Sequence, residues 1–150
     1  MSQHEVYLGN PNLKKANTPI EFTEDQIVEF LKCKEDPVYF ARNHIKIVSL
    51  DEGLVPFDMY DFQEKLIRNF HEARFNICKM PRQTGKSTTC VSYLLHYAVF
   101  NDNVNVAILA NKASTARDLL GRLQLAYENL PNWMQQGIIS WNKGSLELEN

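Results

Sequence analysis

The chain has 150 residues, of which 44% are hydrophobic and 23% are charged, and this balance excludes a wholly disordered polypeptide. Its formal net charge is −2, so overall charge gives no argument for nucleic-acid binding. No apolar run approaches the roughly 18 residues of a membrane span, and the polar start lacks the apolar stretch of a signal peptide. We therefore expect a soluble protein inside the cell.

The three cysteines, Cys33, Cys78 and Cys90, are isolated in the sequence. None belongs to a CxxC pair, and no histidine lies near them at ligand spacing, so a zinc site or a disulfide framework is not expected. Isolated cysteines in apolar runs are usually small buried hydrophobic residues.

The chain is predicted to begin with an extended arm, residues 1–20, which contains Gly9, Pro11 and Pro19 and little periodicity. Residues 21–72 form a helical and hairpin lead-in. Thr23 and Gln26 have the spacing of a capping box, and proline is favoured at the first helical position. The predicted elements are a helix over 24–34, a helix opening at Asp36-Pro37, a hairpin over 45–58 and a helix over 60–72.

Residues 73–150 have a different pattern, in which short apolar runs alternate with helical periodicity. The predicted elements are a strand over 75–78, a loop over 80–86, a helix over 86–100, a strand over 104–110, a helix over 113–130 and two short strands around Gly144. The order strand, helix, strand, helix predicts an α/β fold with a parallel sheet and right-handed crossovers.

The loop between the first strand and helix of this region resembles a phosphate-binding P-loop. Gly85 lets the backbone approach a phosphate, Lys86 can reach the β- and γ-phosphates, and the Ser87 hydroxyl can bind Mg²⁺. The usual first glycine is replaced by Met80, and an ordinary helix start with a lysine is the alternative. The predicted ATP-binding residues here are Pro81, Gln83, Thr84, Gly85, Lys86, Ser87 and Thr88.

Arg82 and Gln63 are further candidates near this loop. A fixed cation at Arg82 could stabilise transition-state charge, or it could be a solvated or sheet-anchoring arginine. The carboxamide of Gln63 could pair with an adenine edge, but the pattern alone favours an exposed helical glutamine. Residues 110–116 follow the second strand and are expected at the ligand-facing edge of the sheet. Ser114 and Thr115 could contact phosphate or DNA there, but we expect them to cap the next helix.

The motifs together resemble the large terminase subunit of T-even-like tailed bacteriophages, from about Tyr7 to Asn150. Asp61-Phe62-Gln63 is similar to the adenine motif of that family, and Arg82-Gln83-Thr84-Gly85-Lys86-Ser87 to its arginine-bearing P-loop, which also lacks the first glycine. The remaining matching stretches are residues 9–17, 32–34, 38–41, 108–112 and 141–145.

This resemblance implies a RecA-like P-loop NTPase fold of the additional-strand type and a motor that uses ATP and Mg²⁺ to drive double-stranded DNA into a capsid. Lys86 and Arg82 would be catalytic, Ser87 would bind Mg²⁺, and Gln63 would read adenine. The implied partners are the portal protein, the small terminase subunit and further copies in a ring. The implied location is the host cytoplasm and, transiently, the capsid portal, but not the mature virion.

The sequence departs from the family because no acidic Walker B strand and no nuclease carboxylate cluster occur within its 150 residues. We therefore expect a split or truncated core over 73–150, with little or no hydrolysis by this chain alone and with the remaining strands supplied by a second polypeptide. A nucleotide-binding module that does not hydrolyse ATP and a superfamily 2 helicase fragment remain as alternatives.

Overall fold

A computed structural model describes residues 5–49 and 51–150. These residues form five helices and six short strands in a mixed α/β arrangement. The elements in chain order are β1 (Val6–Tyr7), β2 (Asn10–Lys14), α1 (Glu24–Glu35), α2 (Pro37–His44), β3 (Lys46–Ser49), β4 (Gly53–Pro56), α3 (Asp61–Glu72), α4 (Lys86–Phe100), α5 (Ala113–Glu128), β5 (Ile138–Trp141) and β6 (Leu146–Leu148).

The helices of the lead-in begin where their capping residues predict. Thr23 and Gln26 form the reciprocal capping box of α1. Asp36 caps α2 by accepting from the backbone N–H groups of Val38 and Tyr39. The predicted hairpin is confirmed as β3 and β4, which pair in antiparallel register.

The start of the chain is more ordered than the predicted arm. β1 and β2 form an antiparallel hairpin, and the side chains of Leu13 and Lys14 are buried. Lys15 makes an isolated parallel bridge to Ile138, and the backbone N–H of Lys14 donates to the Oε1 atom of Gln135. These partners lie more than 120 residues away in sequence, so local periodicity gives no sign of them.

The core is organised around α4, which contacts α2, α3 and α5. Leu95 and Val99 are fully buried on this helix, and the ring of Phe100 packs edge-on against Phe40 at 5.3 Å. Burying apolar surface of this kind contributes about 25 cal/mol per Å². The helix that follows the candidate loop is therefore a rigid support for it.

The predicted parallel sheet is not formed by the described residues. Their three sheets are antiparallel strand pairs, β1–β2, β3–β4 and β5–β6. Residues 75–78 and 104–110, which we expected to be strands, have no assigned secondary structure. A strand is stabilised by hydrogen bonds to a neighbour, and these segments have no strand partner in the described chain.

The second half of the chain also shows smaller differences from the prediction. α5 ends at Glu128, two residues before the expected limit. Its N-cap is Lys112 and no side chain caps it, so the expected capping by Ser114 or Thr115 is wrong. Both residues lie exposed in the first turn. None of the helices built from described residues combines the length and the apolar character needed to cross a bilayer.

Candidate phosphate-binding site

The candidate loop, residues 80–85, turns sharply before α4 begins. Gln83 and Gly85 both adopt left-handed backbone conformations, with φ of 60° and 74°. Gly85 is the N-cap of α4, and the left-handed region costs a glycine little because it has no Cβ. Gly85 therefore forms a tight turn at the start of α4, and the approach of its backbone to a phosphate stays a prediction.

The first turn of α4 has no side-chain cap. The backbone N–H of Thr89 donates to the Gly85 carbonyl at 2.9 Å, and the Thr89 hydroxyl donates to the same oxygen. The N–H groups of the three preceding residues have no partner within a helix because they precede the first helical hydrogen bond. A helix start of this kind carries partial positive charge and favours an anion.

The ammonium of Lys86 lies folded over the loop. Its Nζ atom donates to the carbonyl oxygens of Met80 at 3.0 Å and Pro81 at 2.9 Å. The Thr84 hydroxyl also donates to the Pro81 carbonyl, at 3.0 Å. These bonds place a cation and an uncapped helix start on one short loop.

The other predicted loop residues differ in exposure. Pro81, Arg82 and Gln83 are exposed, whereas Thr84, Ser87 and Thr88 are half-buried. The Arg82 guanidinium makes no hydrogen bond or ion pair with another residue in the described part of the chain. Its exposure agrees with a solvated arginine and leaves the guanidinium free to meet a ligand.

Gln63 is close to the loop but is not the exposed glutamine that the pattern favoured. Its side chain is only 4% exposed. Its Oε1 atom accepts from the Tyr60 backbone N–H at 2.9 Å, and its Nε2 atom donates to the Thr84 carbonyl at 3.5 Å. The exposed rings of Tyr60 and Phe62 are stacked beside it, with centroids 5.7 Å apart.

The two segments that were expected to become strands leave apolar side chains in solvent. Phe75 and Ile77 precede the loop and are 82% and 101% exposed, and Leu109 is 88% exposed. Cys78 is exposed as well, so it differs from the buried position that is usual for an isolated cysteine in an apolar run. The sheet edge that was expected to bring residues 110–116 to the loop is therefore not formed within the described chain.

A group of polar side chains that sequence analysis missed lies between α1 and α2. The Oε1 atom of Glu29 is 2.8 Å from His44 Nε2 and 3.8 Å from the thiol of Cys33, and the Tyr39 hydroxyl donates to Oε2. These donor atoms lie within 4.8 Å of one another, as metal ligands would. The spacing of Glu29, Cys33 and His44 in the sequence matches no recognised metal-binding motif, so the group was not predicted.

The hydrogen bonds in this group explain it without a metal. Burial, and to a lesser degree the nearby carboxylate of Glu29, raise the pKa of the Cys33 thiol to about 12, which keeps it protonated. The hydrogen bond from His44 is the main cause that lowers the pKa of Glu29. The hydrogen bonds of Glu29 to Tyr39 and His44 join α1 to α2, so we assign this group to the packing of these two helices.

A large cavity, about 940 Å³, lies away from the loop. It is lined by one of the unassigned segments, residues 103–106 and 108, together with α4, α5 and β6. The cavity and the residues suited to binding phosphate therefore lie at different places in the molecule. The loop is the better candidate because Lys86 and the start of α4 lie together there, whereas the cavity opens beside a segment without a strand partner.

No protein-family model matches the chain. The terminase resemblance therefore depends on the motifs of the sequence.

Proposed function

We propose that this chain binds the triphosphate of ATP, with Mg²⁺, at the loop that precedes α4. The observation that carries this proposal is the Lys86 ammonium, which lies over the same loop that leads into the uncapped start of α4. A triphosphate would offer stronger acceptors to Lys86 than the two carbonyl oxygens that it contacts, because a negatively charged oxygen adds attraction between two full charges to the hydrogen bond.

The residues fit the phosphate part of such a ligand better than the metal part. The half-buried Ser87 lies in the first turn of α4, where a hydroxyl can bind Mg²⁺. In the described chain, no carboxylate forms an ion pair with a residue of the loop, so an acidic partner for the metal has to come from elsewhere. The exposed Arg82 would contact the γ-phosphate of the nucleotide bound by its own chain or by a neighbour.

The proposed biological role is the ATP-binding part of a viral DNA-packaging motor, the large subunit of a terminase. The support is the order and spacing of the sequence motifs from Tyr7 to Asn150. The finer fold, a RecA-like P-loop NTPase with a parallel sheet, belongs to this proposal. Residues 75–78 and 104–110 would become strands when a second polypeptide supplies their neighbours, which would cover their exposed apolar side chains.

The whole motor would act on double-stranded DNA as a ring of subunits, with the portal protein and the small terminase subunit as partners. This chain alone is expected to bind ATP without turning it over, because no run of four apolar residues ends in Asp-Glu in its 150 residues. A nucleotide-binding module that never hydrolyses ATP is the second candidate. The same lack of a carboxylate at the loop favours it.

Titration calorimetry with Mg·ATP tests the binding step directly. We expect the wild-type chain to bind, and Lys86→Ala to weaken binding by at least tenfold, about 1.4 kcal/mol. Lys65→Ala is the matched control, since Lys65 is an exposed lysine of α3 outside the loop. Equal binding by both variants, or no binding by the wild-type chain, would contradict the proposal.

A further inference from the structure

The polar atoms of the Gln63 side chain are engaged by the backbone on both sides. The Oε1 atom accepts from the Tyr60 N–H at the start of α3, and the Nε2 atom donates to the Thr84 carbonyl in the loop. Only 4% of the residue is exposed, so little of this carboxamide is accessible to a base edge.

Gln63 also packs directly against the glycine at the end of the loop. A Cβ added to Gly85 would lie 2.3 Å from Gln63 Nε2, far closer than any ordinary contact. Gln63 therefore occupies the space that a side chain at position 85 would need. Together with the bond to Thr84, this contact joins α3 to the two residues whose backbone forms the end of the loop.

We propose that Gln63 is a positioning residue for the phosphate-binding loop and that the site selects the triphosphate and not the base. This inference rests on the proposed function, and it changes the role that the resemblance implies for Gln63. Gln63 holds Thr84 and Gly85 in the conformation that directs the start of α4 toward the phosphates. Its loss then lowers the affinity for every ligand that carries the same polyphosphate.

The surroundings of Gln63 agree with weak discrimination between bases. The stacked rings of Tyr60 and Phe62 are the exposed aromatic surface next to it, at 70% and 45% exposure. Base stacking on aromatic rings tolerates any sequence because every base has a π-face. Hydrogen bonds to base edges would be needed to separate adenine from guanine, and the carboxamide that could make them is already bonded to backbone.

The test compares Mg·ATP, Mg·GTP, Mg·CTP and magnesium tripolyphosphate on the wild-type chain and on Gln63→Met. Methionine has a similar length and keeps the packing, but it lacks both hydrogen bonds of the carboxamide. We expect the wild-type affinities for the three nucleotides to agree within about threefold, and tripolyphosphate to bind more weakly because it has no base to stack. We expect Gln63→Met to weaken all four by a common factor of about tenfold, with its melting temperature still well above the assay temperature.

Gln135→Met is the matched control, because Gln135 is another buried glutamine bonded to backbone carbonyls, at Asn12, Tyr127 and Leu130. It should lower the melting temperature without changing ligand affinity. A strong wild-type preference for ATP that Gln63→Met abolishes, with tripolyphosphate binding unchanged, would overturn the inference alone. Failure of the wild-type chain to bind any of the four ligands would overturn the proposed function, and this inference with it.

Discussion

At the scale of single residues, two glycines with the same backbone conformation have different surroundings. Gly53 and Gly85 have φ of 75° and 74°. Among the described residues, a Cβ at Gly53 would meet nothing within 4 Å, whereas a Cβ at Gly85 would collide with Gln63. Gln63 cannot move aside without losing its bonds to Tyr60 and Thr84. Alanine substitutions at the two glycines therefore separate the free-energy cost of backbone strain from the cost of the contact with Gln63.

We predict that Gly85→Ala destabilises the protein more than Gly53→Ala. A left-handed conformation costs an alanine about 1–2 kcal/mol, and both variants carry this strain. Gly85→Ala adds an overpacking cost of about 1–3 kcal/mol. Urea unfolding of both variants measures the difference. Equal free energies of unfolding would show that Gln63 does not pack on Gly85 as described.

His96 gives a residue-scale prediction about pH. Burial in the core, and to a smaller extent the neighbouring His71, lower its pKa to about 4, although the hydrogen bond to the Cys33 carbonyl opposes the shift. The unfolded chain takes up this proton near pH 6.5 and the folded chain only near pH 4. The stabilisation is therefore complete above pH 6.5 and is lost as pH falls from 6.5 toward 4.

Between pH 7 and pH 5 we expect the free energy of unfolding to fall by about 2 kcal/mol through this group. His96→Gln keeps a donor for the Cys33 carbonyl and should flatten the slope over that interval. The lowered pKa values of Glu29, Glu64 and Glu149 affect stability only below about pH 5. An unchanged slope in His96→Gln would assign the pH dependence to other groups.

At the scale of elements, helices could be predicted from the sequence because their signals are local. The Thr23 capping box, the Asp36-Pro37 start and the apolar stretch of α4 without proline or glycine all lie at or within the elements that they define. Strands were predicted over 75–78 and 104–110 but are not formed. An apolar run indicates only a tendency to form a strand, and a sheet also needs partner strands that the run itself does not reveal. The same limit explains the missed hairpin of β1 and β2.

Hydrogen exchange tests this description of the two segments. We expect the backbone amides of residues 75–78 and 105–110 to exchange at nearly the rate of an unfolded chain, because they lack strand partners and are exposed. The amides in the middle of α4 should be strongly protected, since this helix is buried among α2, α3 and α5. Slow exchange in both segments would indicate a sheet that the structure does not contain.

At the scale of the whole molecule, the two ends of the chain are joined through Glu149. Its carboxylate accepts from the backbone N–H groups of Asn17 and Gly137 and from the Lys14 ammonium. Burial opposes ionisation of Glu149, but these three contacts together lower its pKa. Sequence analysis could not find this contact because its partners lie up to 135 residues apart. The same applies to the burial of Gln63, which depends on the position of the loop.

We predict that Glu149→Ala lowers the free energy of unfolding by about 1–3 kcal/mol, because it leaves backbone donors without an acceptor. The matched control is Glu147→Ala, which removes an exposed glutamate of β6 two residues away. The control should change stability by less than about 0.5 kcal/mol. Thermal and urea unfolding of the two variants would show whether the ends are coupled; equal effects would contradict the coupling.

The most direct test of the central claim is to map where the triphosphate binds. In a titration of the ¹⁵N-labelled chain with magnesium tripolyphosphate, we expect the largest changes in amide chemical shift over residues 84–88. We also expect the chemical shift of the Gln63 side-chain amide to change, and all of these changes to be lost in Lys86→Ala. Shifts centred on residues 104–108 and 145–149, which line the large cavity, would place the ligand elsewhere and contradict the account.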